Sequence, residues 1–501
     1  MYYPAFEVFE QLAQGGNLIP VYREILADMD TPVSILSKLN SRPHAFLLES
    51  VEGGEKWGRY TFLGSDPRVV FAVRGDEVEI RENGKSTRTR HNGDPMQYLK
   101  EILDRYRPVE VEGLPRFFGG AVGFLSYDMV RYFERLPSRT TDDRNIDDAV
   151  FLVTDTLILF DNVRHTIKIV ACVFSEEEKD LRTAYEEGVK KIEDVVELIQ
   201  SPSANRKFGG SKINDAPLES NMTPEQYKAI VTKAREYIHA GDIIQVVLSQ
   251  RFEKENNLDP IDLYRALRYI NPSPYLFYLK MDDLILIGSS PEVMVRLEEG
   301  IVELRPIAGT RKRGRNEQED RFLADELLND PKEKAEHIML VDLGRNDLGR
   351  IARIGSVQVT QLMVVERYSH VMHLVSNIQG QLAPGNDCFD VLKATFPAGT
   401  LSGAPKVRAM EIIDELEETG RGPYGGAVGY FSYTGNMDLC ITIRTMMVKG
   451  GTLSVQTGAG IVSDSQAQAE YEETINKAEG MMQAIRLASS GFKITNSNGR
   501  K

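Results

Sequence analysis

Gly119-Gly120-Ala121-Val122-Gly123-Phe124-Leu125-Ser126-Tyr127 has a close echo in the other half of the chain, Gly425-Gly426-Ala427-Val428-Gly429-Tyr430-Phe431-Ser432-Tyr433. Glycines entering an apolar strand permit close backbone approach or a bulge. With one copy in each half, the echo predicts a duplicated strand and hairpin, and from it two similar sheets packed face to face. Short apolar runs at Ala45 to Leu48, Val69 to Val73 and Thr156 to Phe160 read as further strands, so the first half is strand-heavy.

The clearest break between the halves runs over residues 201–222, which are rich in Ser, Pro, Gly and Asn and lack an apolar period. This divides the 501 residues into an N-terminal domain (1–200), a linker (201–222) and a second domain (223–490), as expected for a chain too long for one ordinary core. The second domain opens on a helix signal. Thr223 caps, Pro224 stands in the first turn, and Gln226 follows three residues after the cap. Tyr227, Ile230, Val231, Ala234, Tyr237 and Ile238 share one helical face, and Gly241 supplies the stop. Ile243 to Leu248 then reads as a buried strand.

Composition excludes several function classes. There are 60 basic against 74 acidic residues, a net charge of −14, which argues against a general nucleic-acid surface. Cys172, Cys388 and Cys440 are too few and too scattered for a disulfide framework. No apolar run approaches the roughly 20 residues needed to span a bilayer. The expectation is a soluble, cytoplasmic protein with reduced cysteines, bound neither to membrane nor to nucleic acid.

Candidate chemistry gathers in ordered blocks. Pro306-Ile307-Ala308-Gly309-Thr310-Arg311, followed by Lys312, Arg313 and Arg315, suits a turn presenting backbone N–H groups and cations to an anion. Lys332 to Leu343 has helical spacing and carries Glu336. Gln466 to Ile485 is likewise helical, with Glu470, Glu473 and Lys477 on one face, read either as a solvated acidic face with one ion pair or as a site. Gly399-Thr400-Leu401-Ser402-Gly403-Ala404-Pro405-Lys406 is a further block in the order, and Gly458-Ala459-Gly460 is a small-residue turn that lets backbone approach an anion. His370 and His373 lack the further Cys or His ligands that zinc requires.

Taken in this order, the blocks, together with Glu336-His337-Ile338-Met339-Leu340-Val341-Asp342-Leu343-Gly344-Arg345-Asn346-Asp347, resemble the chorismate-utilising enzymes, and within them the branch of anthranilate synthase large subunits. The resemblance implies a mixed α+β fold, a four-layer α/β/β/α sandwich of two antiparallel-rich sheets. It implies Mg²⁺ held by Glu336 and Glu473, with Glu470 near the same acidic site. Glu292 then assists departure of the substrate's hydroxyl, His373 works with it, and Thr400 lies near the substrate. Gly309, Thr310, Tyr424, Arg444, Gly458, Ala459 and Gly460 bind the two carboxylates of chorismate, Arg444 by a bidentate fork.

Two positions narrow the branch. Relatives that add water to chorismate resemble one another in having a lysine base where this chain has Gln245, and aminodeoxychorismate synthases have lysine where it has Ala308. The resemblance therefore implies direct attack of ammonia, giving anthranilate and pyruvate. None of the three cysteines sits in a Gly-flanked elbow, so the ammonia implies a separate glutamine amidotransferase subunit, in a heterotetramer of two large and two small subunits. Leu47-Leu48-Glu49-Ser50 with Asn271-Pro272-Ser273-Pro274-Tyr275-Leu276 resembles the branch's tryptophan-feedback element, with Ser50, Pro274, Tyr275 and Leu276 as its contacts. The alternatives are an aminodeoxychorismate synthase with an atypical alanine, and a non-catalytic amino-acid sensor on the same fold.

Overall fold

The computed structural model describes residues 1–50, 58–175, 180–202, 218–368 and 371–493; residues 203–217 of the expected linker, and His370, lie outside the described residues. Two twelve-stranded sheets dominate it, and the strand pairings within both are antiparallel. The first sheet runs Leu18–Leu26, Thr166–Phe174, Thr156–Asp161, Tyr60–Ser65, His44–Glu49, Tyr275–Met281, Leu284–Ser290, Thr445–Lys449, Thr452–Ile461 and Gln245–Glu255, ending on Glu219–Ser220. The second runs Ile307–Lys312, Val371–Gln381, Ile301–Leu304, Val293–Glu298, Met437–Ile441, Ala427–Ser432, Gly120–Leu125, Ala149–Thr154, Val69–Arg74, Glu77–Glu82 and Lys85–Arg90. Gly403–Ala404 and Gln358–Arg367 pair off these paths.

These orders are palindromes. With the four accessory strands Glu219–Ser220, Ile307–Lys312, Gln358–Arg367 and Gly403–Ala404 set aside, strands numbered within each half read 1, 10, 9, 3, 2 and then 2, 3, 9, 10, 1 in the first sheet. The second sheet reads 6, 5, 4, 8, 7 and then 7, 8, 4, 5, 6. The strand framework is thus a duplication about a pseudo-two-fold axis. The echoed glycine strands do not seed separate sheets, as their sequence suggested; they lie side by side in one, with Gly123 opposite Gly429. A second echo falls at equivalent places: Gly64-Ser65-Asp66-Pro67-Arg68-Val69 in the first half and Gly288-Ser289-Ser290-Pro291-Glu292-Val293 in the second.

Alternation along the central strands builds the layers. In His44–Glu49, Phe46 and Leu48 join the core between the sheets, while Ala45 and Leu47 face a second core under the helices. Tyr275–Met281 repeats this, with Phe277 and Leu279 inward and Leu276 and Tyr278 outward. Helices Leu181–Gln200, Pro260–Ile270 and Ala467–Ser489 cover the first sheet, and Pro331–Gly349 and Cys388–Thr395 pack on the second. The result is the α/β/β/α sandwich.

Local signals read from sequence are realised at the start of the second half. Thr223 accepts from Gln226 N and Gln226 answers the Thr223 amide, a full capping box on helix Pro224–Ala240, which ends at Gly241 with φ of 87°. Within the expected linker, Glu219–Ser220 forms a short edge strand on Phe252 and Glu253. The basic stretch is also different from its reading as an anion-binding turn. Ile307–Lys312 is a strand bulged at Gly309, and Arg311 is consumed by Glu326, Asp330 and Glu333 at 2.8–3.0 Å, Arg313 by Asp320 at 2.8 Å. Helices packed across this strand supply carboxylates that sequence adjacency does not reveal.

At the axis the two glycines leave no room for a side chain. A Cβ on Gly123 would stand 2.0 Å from Val150 O, and one on Gly429 2.0 Å from Asp438 O. Gly429→Ala should therefore destabilise the fold by about 1–3 kcal/mol or more through overpacking against backbone, read as a lower midpoint in urea unfolding. An unchanged midpoint would show that the axis is looser than described.

Candidate functional site

Glu292 lies where Leu284–Ser290 hands over to Val293–Glu298, directly after Pro291. Its carbonyl accepts from Ile441 N at 3.0 Å, which ties it to the neighbouring strand. The side chain is buried, and its Oε1 accepts from Thr400 Oγ1 at 3.0 Å. Burial pushes the carboxyl up to about 8, against the Thr400 bond and the positive charge of Lys477, which both act to lower it. A carboxylic acid that keeps its proton at neutral pH is the outcome. The equivalent place in the first half holds Arg68, whose guanidinium lies 4.4 Å from the Phe174 ring centroid, so the duplication has kept acid chemistry on one side only.

Thr400 reaches Glu292 from the short helix Gly399–Ser402. Gly399 packs so closely on the Pro331–Gly349 helix that a Cβ would meet Leu343 Cδ2 at 2.0 Å. Gly403–Ala404 then pairs with Gln245 and Val246. A cavity of about 420 Å³ extends from Glu292 and Thr400 along Leu340, Leu343 and Gly344 of that helix.

Acidic residues converge from two helices. Asp330 caps Pro331–Gly349 by accepting from Lys332 N and Glu333 N, which orients the turn carrying Glu336. Next to it His337 is fully buried, its Nε2 2.6 Å from Ser376 Oγ, and burial holds its imidazole down at about 4, hence neutral. Burial raises the Glu336 carboxyl, the charges of Glu333 and Glu473 push the same way, and Lys477 and a hydrogen bond from Gln245 pull against them. On Ala467–Ser489, burial also raises Glu470, with Ser465 lowering it and Glu473 raising it. Lys477 Nζ sits 2.7 Å from Glu473 Oε1 and donates to Gly458 O at 2.9 Å. Glu336 and Glu473 thus form a mutually repelling pair suited to a small hard cation that takes two carboxylates and completes its shell with water and substrate oxygens. Among the described residues, no group of three or more His, Cys, Asp or Glu side chains forms an all-protein cage.

The glycine cradle lies on Thr452–Ile461, paired with Gln245–Glu255. A Cβ at Gly458 would meet Tyr424 Oη at 2.7 Å, and one at Gly460 would meet Gln245 Nε2 at 2.6 Å, so these glycines admit the two side chains to the site floor. Arg444 adopts φ of 51°, sparsely populated for a residue with a Cβ. Burial lowers its guanidinium's pKa, while the nearby Tyr424 phenol acts in the opposite direction. Ala459, between the glycines, is fully buried.

Gly309, Thr310 and His373 form a further cluster. Thr310 and His373 are cross-strand partners, and His373 Nδ1 lies 3.0 Å from Thr310 Oγ1 and 3.1 Å from Gly309 O. A carbonyl only accepts, so Nδ1 carries a proton. Gly309, at φ 66°, abuts Glu333 one turn before Glu336, which sets the cluster beside the acidic helix. Ala308 is buried opposite Leu374 and offers no amine.

Ser50, Pro274, Tyr275 and Leu276 meet elsewhere, around a cavity of about 570 Å³ on the pseudo-axis. Leu48, Phe62 and Tyr430 line it, and Tyr275 Oη donates to Asp438 Oδ1 at 2.8 Å. The Glu49 carboxylate turns to the helix side, where Arg268 grips it at 2.6 and 2.7 Å and Tyr264 at 2.9 Å.

Sequence reading treated Lys477 only as an i,i+4 partner and missed its bond to Gly458; it also missed the bond from Gln245 to Glu336. Both depend on strand-to-helix contacts that carry no local signal. The three cysteines are free and buried, and burial pushes each thiol up, Cys388 to about 12.

Residues 44–483 match the family described as chorismate binding enzyme. The chain is 48% identical to anthranilate synthase component 1 of Aquifex aeolicus, over 97% of this chain and 98% of that protein. It is also 48% identical to that of Pseudomonas putida, over 96% and 98%. The crystal structure of anthranilate synthase component I from Streptococcus pneumoniae superposes with a TM-score of 0.74 at 40% identity, over 86% of this chain and 95% of that one. The Escherichia coli menaquinone-specific isochorismate synthase shares the fold at 18% identity, with a TM-score of 0.69, over 96% and 99%. This chain belongs to the chorismate-binding enzymes, in the family of anthranilate synthase component 1.

Proposed function

We propose that this chain is the chorismate-converting subunit of an anthranilate synthase, taking chorismate and ammonia to anthranilate and pyruvate. The observation that carries the reading is the buried Glu292 carboxyl bonded to Thr400 beside a two-carboxylate pair and a glycine cradle. Arg444, Tyr424, Thr310 and the backbone of Gly309 and Gly458 to Gly460 hold the substrate's two carboxylates. Protonated Glu292 gives its proton to the departing ring hydroxyl, which leaves as water while ammonia adds to the ring. Gln245 cannot take a proton from water, and Ala308 cannot act as a nucleophile, so neither hydration nor covalent capture competes. His373, with its Nδ1 proton engaged, offers Nε2 for the ring proton lost as pyruvate departs. Glu336 and Glu473 hold Mg²⁺, which when bound withdraws charge from the substrate carboxylate.

Ammonia comes from a separate glutamine amidotransferase subunit, in a cytoplasmic heterotetramer of two large and two small subunits, since the three cysteines here are buried and unactivated. Residues 1–200 supply part of the cavity on the pseudo-axis, which takes L-tryptophan, and residues 223–490 carry the chemistry. Feedback has a short path. Ser273 Oγ donates to Ser290 O, and Asn271 Nδ2 to Ser289 Oγ at 3.2 Å, so the loop leading to Pro274 is stapled to the residues just before Glu292.

The primary test incubates the chain with chorismate, Mg²⁺ and an ammonium salt, following anthranilate fluorescence and pyruvate. Both products should appear and should be lost on chelating Mg²⁺; chorismate consumed without pyruvate would indicate aminodeoxychorismate synthesis instead, and tryptophan bound without turnover a sensor. Glu292→Gln should lower kcat about 10²- to 10⁴-fold. Because the protonated form acts, wild-type activity should fall as pH rises through about 8. A pH–rate profile still level there would remove Glu292 as the acid. Ser50→Phe should weaken tryptophan inhibition about tenfold or more with kcat retained, and full sensitivity in that variant would move the inhibitor elsewhere.

A further inference from the structure

Among the described residues Arg421 is the largest of the fully buried side chains, 2% exposed, and beyond its ion pair with Glu417 its bonds end at two segments of the site described above. Its Nε and Nη2 donate to the Glu417 carboxylate at 2.8 and 2.6 Å. Nη1 donates to Leu401 O at 2.7 Å, the residue following Thr400. Nη2 also donates to Val247 O at 2.7 Å, on the strand position facing Gly460. The guanidinium carbon lies 4.6 Å from the Tyr127 ring centroid and 5.7 Å from that of Tyr424. Glu417 Oε1 accepts in addition from Ser249 N at 2.8 Å and Ser249 Oγ at 3.0 Å, and Ser249 faces Gly458.

A buried ion pair is a poor device for stability alone, because removing two charges from water offsets most of their attraction. What a guanidinium provides that an apolar group does not is a rigid planar fork with donors at set angles. Here that fork joins three things the reaction uses: the Thr400 turn, the strand backing the glycine cradle, and the Tyr424 ring. We infer that Arg421, oriented by Glu417, is a positioning residue that fixes Thr400 on Glu292 and holds that turn at a set spacing from Gly458 to Gly460. The inference rests on the reading of Glu292 as the reacting acid.

A double-mutant cycle in the ammonia-dependent assay tests it. Arg421→Lys keeps a cation beside Glu417 but cannot reach both carbonyls, so kcat should fall about tenfold or more. In a Thr400→Val background the same change should lower kcat by no more than about twofold, since the contact it sets is already gone. Multiplicative losses in the double variant would overturn the inference, as would a lower Tm with kcat unchanged. If Arg421→Lys does not fold, Glu417→Asp, which retains the charge but shortens its reach, carries the same cycle with the same outcomes. Full activity in Glu292→Gln would overturn the Glu292 reading itself, a result separable from either outcome of the cycle.

Discussion

Backbone-to-backbone contact between Gly120–Leu125 and Ala427–Ser432 is the constraint on which the remaining architecture depends. The two strands come from opposite halves of the chain and meet over glycine backbone: a Cβ on Gly120 would stand 2.1 Å from Phe431 O and one on Gly426 2.0 Å from Leu125 O, so side chains there would clash with the neighbouring strand's backbone. Once they pair, the second sheet is continuous across both halves, and Tyr275–Met281 against His44–Glu49 closes the first sheet in the same sense. Neither half then has a central edge to expose, which removes the usual liability of a long sheet.

Duplication supplied two equivalent strand junctions, and burial separated their chemistry. At one, Arg68 stacks on Phe174; at the other, Glu292 is enclosed, with the Thr400 hydroxyl and the more remote charge of Lys477 to stabilise its carboxylate. Desolvation of a carboxyl outweighs one hydrogen bond and one nearby lysine, which is why Glu292 keeps its proton near neutral pH. The same physics acts on Glu336 and Glu470, where gathered negative charge and burial reinforce each other beside Lys477. Such crowding is unfavourable in the protein alone and is what a divalent cation would relieve.

The two cavities use different parts of the duplicated frame. The larger sits on the pseudo-axis, where strands of both halves meet, and so is sensitive to how the halves sit against each other. The other opens from Glu292 along the Pro331–Gly349 helix, within the second half. Bonds from Asn271 and Ser273 to Ser289 and Ser290 make one continuous strand hairpin the connection between them.

Much was legible in the chain itself. Capping chemistry at Thr223 and Gly241, the helices bearing Glu336 and Glu473, and the block order that resembles the chorismate enzymes all rest on short-range patterns, which backbone sterics and helical periodicity convert directly into structure. The glycine echo announced a repeat, though not that its two copies would be adjacent. Other features had no local trace. Arg311 and Arg313 read as anion-binding cations, yet helices folded over them neutralise both. Lys477 to Gly458, Gln245 to Glu336 and Arg421 to Leu401 join residues 19 to 91 positions apart or bridge separate elements, and nothing in spacing marks them. Sequence by itself determined which residue types were present and which helices and strands carry them, because those depend on neighbours a few residues away. Tertiary structure alone decided which charges are buried and which are paired, because desolvation and hydrogen bonding depend on what the fold brings from far along the chain.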